Sequence, residues 1–395
     1  MTVLTAELGH LARDTSRANR FHVEFVSDWQ QAASRWNDPS LSTPFQDTRW
    51  LEAWYAAFAN VGDVEPLIAI VSDAATSEQV ALLPLVRRVR RGVRIIEFAD
   101  LNLTDYNAPR LTRAAPRDAR AGRLLWRDLL AALKNYPGGA DLVRFRKMPL
   151  DLDGRPNPLA LLDGARPSPL NGNFVATGDD FDAYRRSLER TVRKGLERSW
   201  RVFTRHPAAK LEIVTEEDQA LRLLSAMEVQ QGARMRHLGL NYVLNDETSA
   251  AFYRNLVGGG LRGGYAVLSA LTVGEEVVAT LLGVRSGERY VMLRNSNAGE
   301  KWSNCSPGRL IIGRTMAALH QDGVRSFDFS IGNYAYKRRF GVAPLRLVDI
   351  TAALSWRGIP SALRDRAVCV LRRRYPRLTA RLARALGRPA SREEN

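Results

Sequence analysis

Two short stretches of this 395-residue chain concentrate the residue types that do chemistry. The first is Ser306–Pro307–Gly308–Arg309–Leu310. Serine is a favoured helix N-cap and proline a favoured first helical residue, so the spacing predicts a helix opening here, after a polar loop at 296–305. The amides of that first turn, the close approach that Gly308 permits, the helix dipole and Arg309 all favour negative charge. A strand, a loop and an exposed helix start form an arrangement that holds a diphosphate. The second stretch runs from Phe327–Asp328–Phe329 to Tyr334, Tyr336 and Lys337. Strand alternation puts both phenylalanines on one face and Asp328 on the other, toward solvent, a partner or a cleft. Acyl transfer needs a base for the acceptor and a proton donor for the leaving group. Asp328 is the candidate base, Tyr336 the candidate proton donor and Lys337 an electrostatic clamp. Cys305 has no neighbouring histidine to activate it and reads as a small buried thiol.

These residues need a scaffold, and the hydrophobic periodicity supplies one twice. In the first half a helix precedes strand patterns at 67–71, 80–86 and 94–98. A loop at 101–109, a helix around 124–133 and a strand at 142–145 follow. The second half repeats the order: an antiparallel meander at 265–273, 277–285 and 289–295, then the loop, the helix and a strand at 326–331. Between the halves, scattered prolines and glycines at 150–170 read as a linker. A helix at 181–200 then carries Phe181, Tyr184, Leu188, Val192, Leu196 and Trp200 on one face and arginines on the others.

Composition bounds the answer. No segment approaches the run of about 18 apolar residues that a membrane span needs, and the N-terminus has no signal-peptide core. Cys305 and Cys369 form neither a disulfide framework nor a metal-ligand spacing, so a cytoplasmic protein without a metal is expected. A formal charge of +16 implies a polyanionic neighbour or a heavily solvated arginine surface. The basic stretch 361–388 suits either an anionic lipid surface, which would put the cytoplasmic protein at the inner face of the membrane, or a disordered tail.

The stretch from Ser306 through Asp328–Phe329–Ser330–Ile331–Gly332 to Tyr336–Lys337–Arg338–Arg339–Phe340–Gly341 resembles the GNAT domain of CelD/BioF2-like proteins. The basic helix at 188–203, the Gln230, Arg234 and Gly239 region, and Thr104–Asp105–Tyr106–Asn107–Ala108–Pro109 in the first half extend the likeness over roughly 21–350. The resemblance implies an α/β (α+β) fold of two tandem GNAT-like domains, each a mixed, mostly antiparallel sheet flanked by helices, as in Fem-type transferases. The ranges expected are 21–165, 174–355 and a basic tail at 356–395. It implies an acyl-CoA donor held by Asn295, Ser306, Pro307, Gly308, Arg309 and Leu310. Asp105, Tyr106, Arg234 and Tyr334 are expected to contact the acceptor, a small molecule or saccharide of cell-surface or exopolysaccharide biosynthesis such as cellulose. Because the loop at 101–109 lacks a Ser-Pro-Gly equivalent, the first half is not expected to bind coenzyme A. Asn333 and Tyr334 replace an acidic pair common in that family. Two alternatives follow: a Fem-like transferase using charged tRNA, the one reading with a nucleic-acid partner, and a non-catalytic scaffold docked on a membrane polysaccharide synthase.

Overall fold

The computed structural model describes residues 19–36, 41–239, 246–332 and 334–375. In the first half, strands β1 (Phe21–Val26), β2 (Val64–Asp73), β3 (Gln79–Arg90) and β4 (Val93–Phe98) pair antiparallel in sequence order. The short β5 (Arg110–Leu111) adds to β3, and β6 (Leu142–Pro149) lies parallel to β4. Helices α1 (Trp29–Arg35), α2 (Thr48–Phe58) and α3 (Ala119–Lys134) flank this sheet. The meander and the parallel closure thus occur where the alternating apolar pattern predicts strands.

The predicted linker is not a free connector. It forms the small hairpin β7 (Asp151–Leu152) and β8 (Arg155–Pro156), then β9 (Arg166–Pro167), and its Leu152, Leu159 and Leu162 are buried in the first core. These three apolar side chains suffice to anchor a proline-rich segment that has no regular periodicity.

The second sheet is built from β10 (Gly172–Ala176), β11 (Ala209–Val214), β12 (Ala266–Val273), β13 (Glu276–Ser286), β14 (Arg289–Asn297), β15 (Ser326–Asp328) and β16 (Ala343–Leu345). Their spatial order is β11-β12-β13-β14-β15-β10-β16. Again a meander, β12 to β14, is closed by a parallel strand, β15, after helix α8 (Pro307–Gln321). The final strand β17 (Leu347–Ala353) returns to the first sheet, antiparallel to β6, while β10 completes the second. The expected 174–355 range therefore contributes a strand to the other sheet, which periodicity within a strand has no means of showing.

The helix expected at 181–200 is two helices, α4 (Phe181–Ser187) and α5 (Arg190–Phe203). Leu188 is extended at ψ 151° and buried, and the Ser187 hydroxyl donates to the Tyr184 carbonyl instead of leaving it to the helix ladder. Helices α6 (Glu217–His237) and α7 (Glu247–Gly260) cover the other face, and α7 packs on α2 of the first half. Trp50 of α2 meets Phe252 of α7 edge-to-face at 5.0 Å, so one apolar cluster runs across both halves. The one-turn helix α9 (Ala335–Arg338) and the C-terminal α10 (Ile359–Arg374) complete the chain described. Of the expected 356–395 tail, the part beyond 375 lies outside the described residues. Among the described residues no helix is long and apolar enough to cross a membrane, and no group of His, Cys, Asp or Glu is arranged to hold a metal.

Candidate active site

The reactive residues of the two halves meet at the junction of the sheets. The loop after β4 is fixed by Asp100, which accepts from the Asn102 amide, Asn107 Nδ2 and Lys147 Nζ. Leu101 and Asn102 sit at positive φ, which turns Asp105 and Tyr106 toward the second half. Tyr106 is fully buried, and its hydroxyl donates to Asp328 Oδ1 at 2.7 Å. The same oxygen accepts from the Ser330 amide at 2.7 Å, and Arg289 pairs with Oδ2. A Cβ on Gly172 would overlap the Tyr106 hydroxyl, so glycine is what lets β10 pass this close.

Asp328 thus faces a partner, as the alternation allows, but the partner is protein and the carboxylate is 1 % exposed. Its acceptor positions are spent on Arg289, Tyr106 and Ser330, which suits a brace between the halves better than a base. The strand also ends at Asp328 and not at 331, because Ser330 adopts φ 64°, outside the extended region.

Asp105 is differently placed. It is half-buried, accepts a hydrogen bond from the Ser330 hydroxyl, and burial raises its carboxyl to about 6 against the pull of Lys147, Ser330 and Lys337. Lys337 is buried on α9, donating to the Ile331 carbonyl at 2.7 Å and to Ser330 at 3.4 Å. Burial brings its ammonium down to about 8, opposed by Asp105 and Asp328. Tyr334 is exposed, lies 5.3 Å from Lys337 Nζ and stacks at 6.1 Å on Tyr336. Burial pushes the Tyr336 phenol well up, with Arg234 of α6 opposing through its charge. So Asp105, Arg234, Tyr334, Tyr336 and Lys337, scattered over 233 positions of sequence, form one neighbourhood.

On the other side of β14 lies the expected donor loop. Strands β14 and β15 are paired only from Arg289↔Ser326 to Val291↔Asp328. Beyond that, β14 runs on to Asn297 while Phe329 donates its amide to Asn173 of β10, so the two strands splay apart. Helix α8 opens at Pro307 as predicted, yet Ser306 does not cap it through its side chain. Ser306 is left-handed at φ 47°, its carbonyl takes the amides of Arg309 and Leu310 at 3.0 Å, and its hydroxyl accepts from Arg309. The first turn therefore offers fewer free amides than the sequence suggests. Asn295 Nδ2 donates to the Gly308 carbonyl at 3.0 Å, tying the strand end to the helix start. Pro307 and Leu310 are buried, Leu310 in the second core, and hold the helix rather than face a ligand.

A cavity of about 280 Å³ lies between α5 and the start of α8, with Arg309 and Arg339 on its wall beside Thr191, Gly195 and Ser199. Burial and the Arg339 charge both lower Arg309 from its usual range, a pair of like charges that an anion would relieve. A larger cavity of about 450 Å³ between α4, α5 and α8 shares only Leu310 with the predicted site. Cys305 is buried and donates to the Trp302 carbonyl at 3.2 Å, and burial pushes its thiol up, as an unreactive thiol requires.

A meander, a splayed parallel pair and a helix start between them are now in view. Residues 190–338 match the family model described as an acetyltransferase (GNAT) domain. The matched stretch contains α5, the splayed strands, α8 and Lys337, whereas Asp105 and Tyr106 come from outside it. Among solved structures, the chain is similar to FemX at 10 % identity and a TM-score of 0.54, covering 83 % of this chain and 96 % of that one. It is similar to a conserved protein of unknown function from Bacteroides thetaiotaomicron VPI-5482 at 10 % identity and a TM-score of 0.51, covering 85 % and 100 %. A tandem GNAT protein from the clavulanic acid biosynthesis pathway matches at 12 % identity, 85 % and 99 % coverage and a TM-score of 0.45. No curated protein matches the chain in sequence. The fold is the tandem GNAT-like one, two mixed sheets flanked by helices.

Sequence reasoning passed over Arg289, Lys147 and Arg339. Arg289 and Lys147 look like ordinary strand cations, and their partners Asp328 and Asp100 lie 39 and 47 positions away. Arg339 stood in the quoted Tyr-Lys-Arg-Arg segment, and its nearness to Arg309 is the signal that singles it out. Asn333 lies outside the described residues.

Proposed function

We propose that this chain is an acyl-CoA-dependent N- or O-acyltransferase whose acceptor is a sugar, sugar nucleotide or polysaccharide of the cell surface. The observation that carries the reading is the Asp105, Ser330 and Lys337 cluster beside the splay of β14 and β15. The diphosphate of the donor is assigned to the α8 start with Arg309 and Arg339, and the thioester to the splay. The role given by the sequence to Asp328 passes to Asp105, which is partly open and accepts from the Ser330 hydroxyl through one oxygen. Asp105 takes the proton of the acceptor amine or hydroxyl as its nitrogen or oxygen bonds to the thioester carbonyl carbon. The C–S bond then breaks, and Tyr336, a phenol kept neutral by burial, gives its proton to the departing thiolate. Lys337 supports the negative charge that develops on the carbonyl oxygen. The stacked Tyr334 and Tyr336 with Arg234 offer an aromatic and cationic wall to a saccharide acceptor.

The test has two parts. Coenzyme A should raise the melting temperature of the full chain, and acetyl-CoA with amino sugars should release free thiol. A melt indifferent to coenzyme A refutes the donor. The exposed arginines of α5 favour one further reading, a transferase using charged tRNA. Binding of tRNA that fades with moderate salt, with no effect of coenzyme A, selects it.

A further inference from the structure

The surface of α10 is unlike the rest of the molecule. Seven of the fourteen large apolar side chains left exposed among the described residues lie between 356 and 375, where the others are single and scattered. Trp356 is 75 %, Leu363 57 % and Val370 61 % exposed. Helical spacing explains the stripe: Ile359, Leu363, Ala367 and Val370 share one face. Ala362, Asp365 and Cys369 form an adjoining, less exposed face. Contacts of α10 with β17 and β6 lie on that inner side, where Asp365 accepts from Arg144 of β6 at 2.8 Å.

Charge on the helix is almost all of one sign. Asp365 is the one acid in this stretch, and it is spent on Arg144, Arg146 and Arg364. Arg357, Arg364, Arg366, Arg372 and Arg374 are exposed, so the apolar stripe has a basic border without an exposed acid. We infer that the outer face of α10, with Trp356, is a docking surface for an anionic lipid bilayer, the apolar stripe entering the headgroup boundary and the arginines meeting lipid phosphates. Aromatic and aliphatic side chains bordered by arginine match that interface in both polarity and charge. A second copy seated by a two-fold axis would bring two arginine borders together, which like charges oppose. The inference does not depend on the acyltransferase reading.

The full chain should be sedimented with phosphatidylcholine vesicles and with vesicles that also contain phosphatidylglycerol. Binding is expected to the mixed vesicles alone, falling as salt is raised. Arg364→Gln and Arg366→Gln should each weaken it roughly five-fold. Leu363→Glu and Val370→Glu should abolish it without moving the melt, since both side chains are exposed. Arg198→Gln with Arg201→Gln on α5 should leave it unchanged. Equal binding to neutral vesicles, wild-type binding by Leu363→Glu and by Arg364→Gln, or loss of binding only through the α5 pair would each overturn the inference. So would a dimer that Leu363→Glu dissociates while vesicle binding persists.

Discussion

Replacing Asp105 by asparagine should make the protein more stable and less active at once. The carboxyl is raised from an ordinary 3.8 to about 6 in the folded chain, chiefly by burial. The folded state therefore holds this proton more tightly than the unfolded state does. Below 3.8 the group is protonated in both states and costs nothing; between 3.8 and 6 the cost of carrying a charge accumulates; above 6 it is fully present. A displacement of about two powers of ten corresponds to ~3 kcal/mol at neutral pH. Asparagine removes that cost, keeps the shape and can still accept the Ser330 hydroxyl. That figure already sets the attraction of Lys147 and Lys337 against burial, and the amide has its own cost of burial, so a gain of about 1 to 3 kcal/mol is expected, a few degrees in the melt. The gain should shrink as pH is lowered toward 4. Turnover, followed by thiol release from acetyl-CoA, should fall by about 10² to 10⁴ because the base is gone. A variant that melts lower than the parent at pH 7 refutes the burial argument, and one with normal turnover refutes the assignment of the base.

Asp328→Asn should destabilise the chain by about 3 to 5 kcal/mol, because Arg289 is left without its carboxylate, and denaturant titration measures it. A double-mutant cycle with Tyr106→Phe should give a coupling of about 1 to 3 kcal/mol across the halves, and additivity would separate Tyr106 from Asp328. Arg309→Glu and Arg339→Glu should each weaken coenzyme A binding by about 1 kcal/mol or more in calorimetry while the melt without ligand changes little. The rate should rise with pH through about 6 as Asp105 loses its proton and fall above about 8 as Lys337 loses its own, giving a bell whose alkaline limb disappears in Lys337→Arg.

Local chemistry wrote most of the elements into the sequence. Alternation fixed both meanders, Gly287 at positive φ marked the turn between β13 and β14, and Pro307 marked the start of α8, since each depends on residues a few positions apart. The likeness of order between the halves was readable for the same reason. What the residues do was decided elsewhere. Asp328 and Asp105 are both loop or strand-end carboxylates in sequence, with nothing nearby to tell base from brace. Their difference comes from Arg289 and Tyr106 closing on one and Ser330 and two lysines surrounding the other. Likewise the place of β10 in the second sheet and the return of β17 to the first rest on pairings with β15 and β6, about 150 to 210 positions away. Burial and long-range electrostatics set proton affinity and hydrogen-bond partners, and both are properties of the closed junction, absent from any stretch of chain read alone.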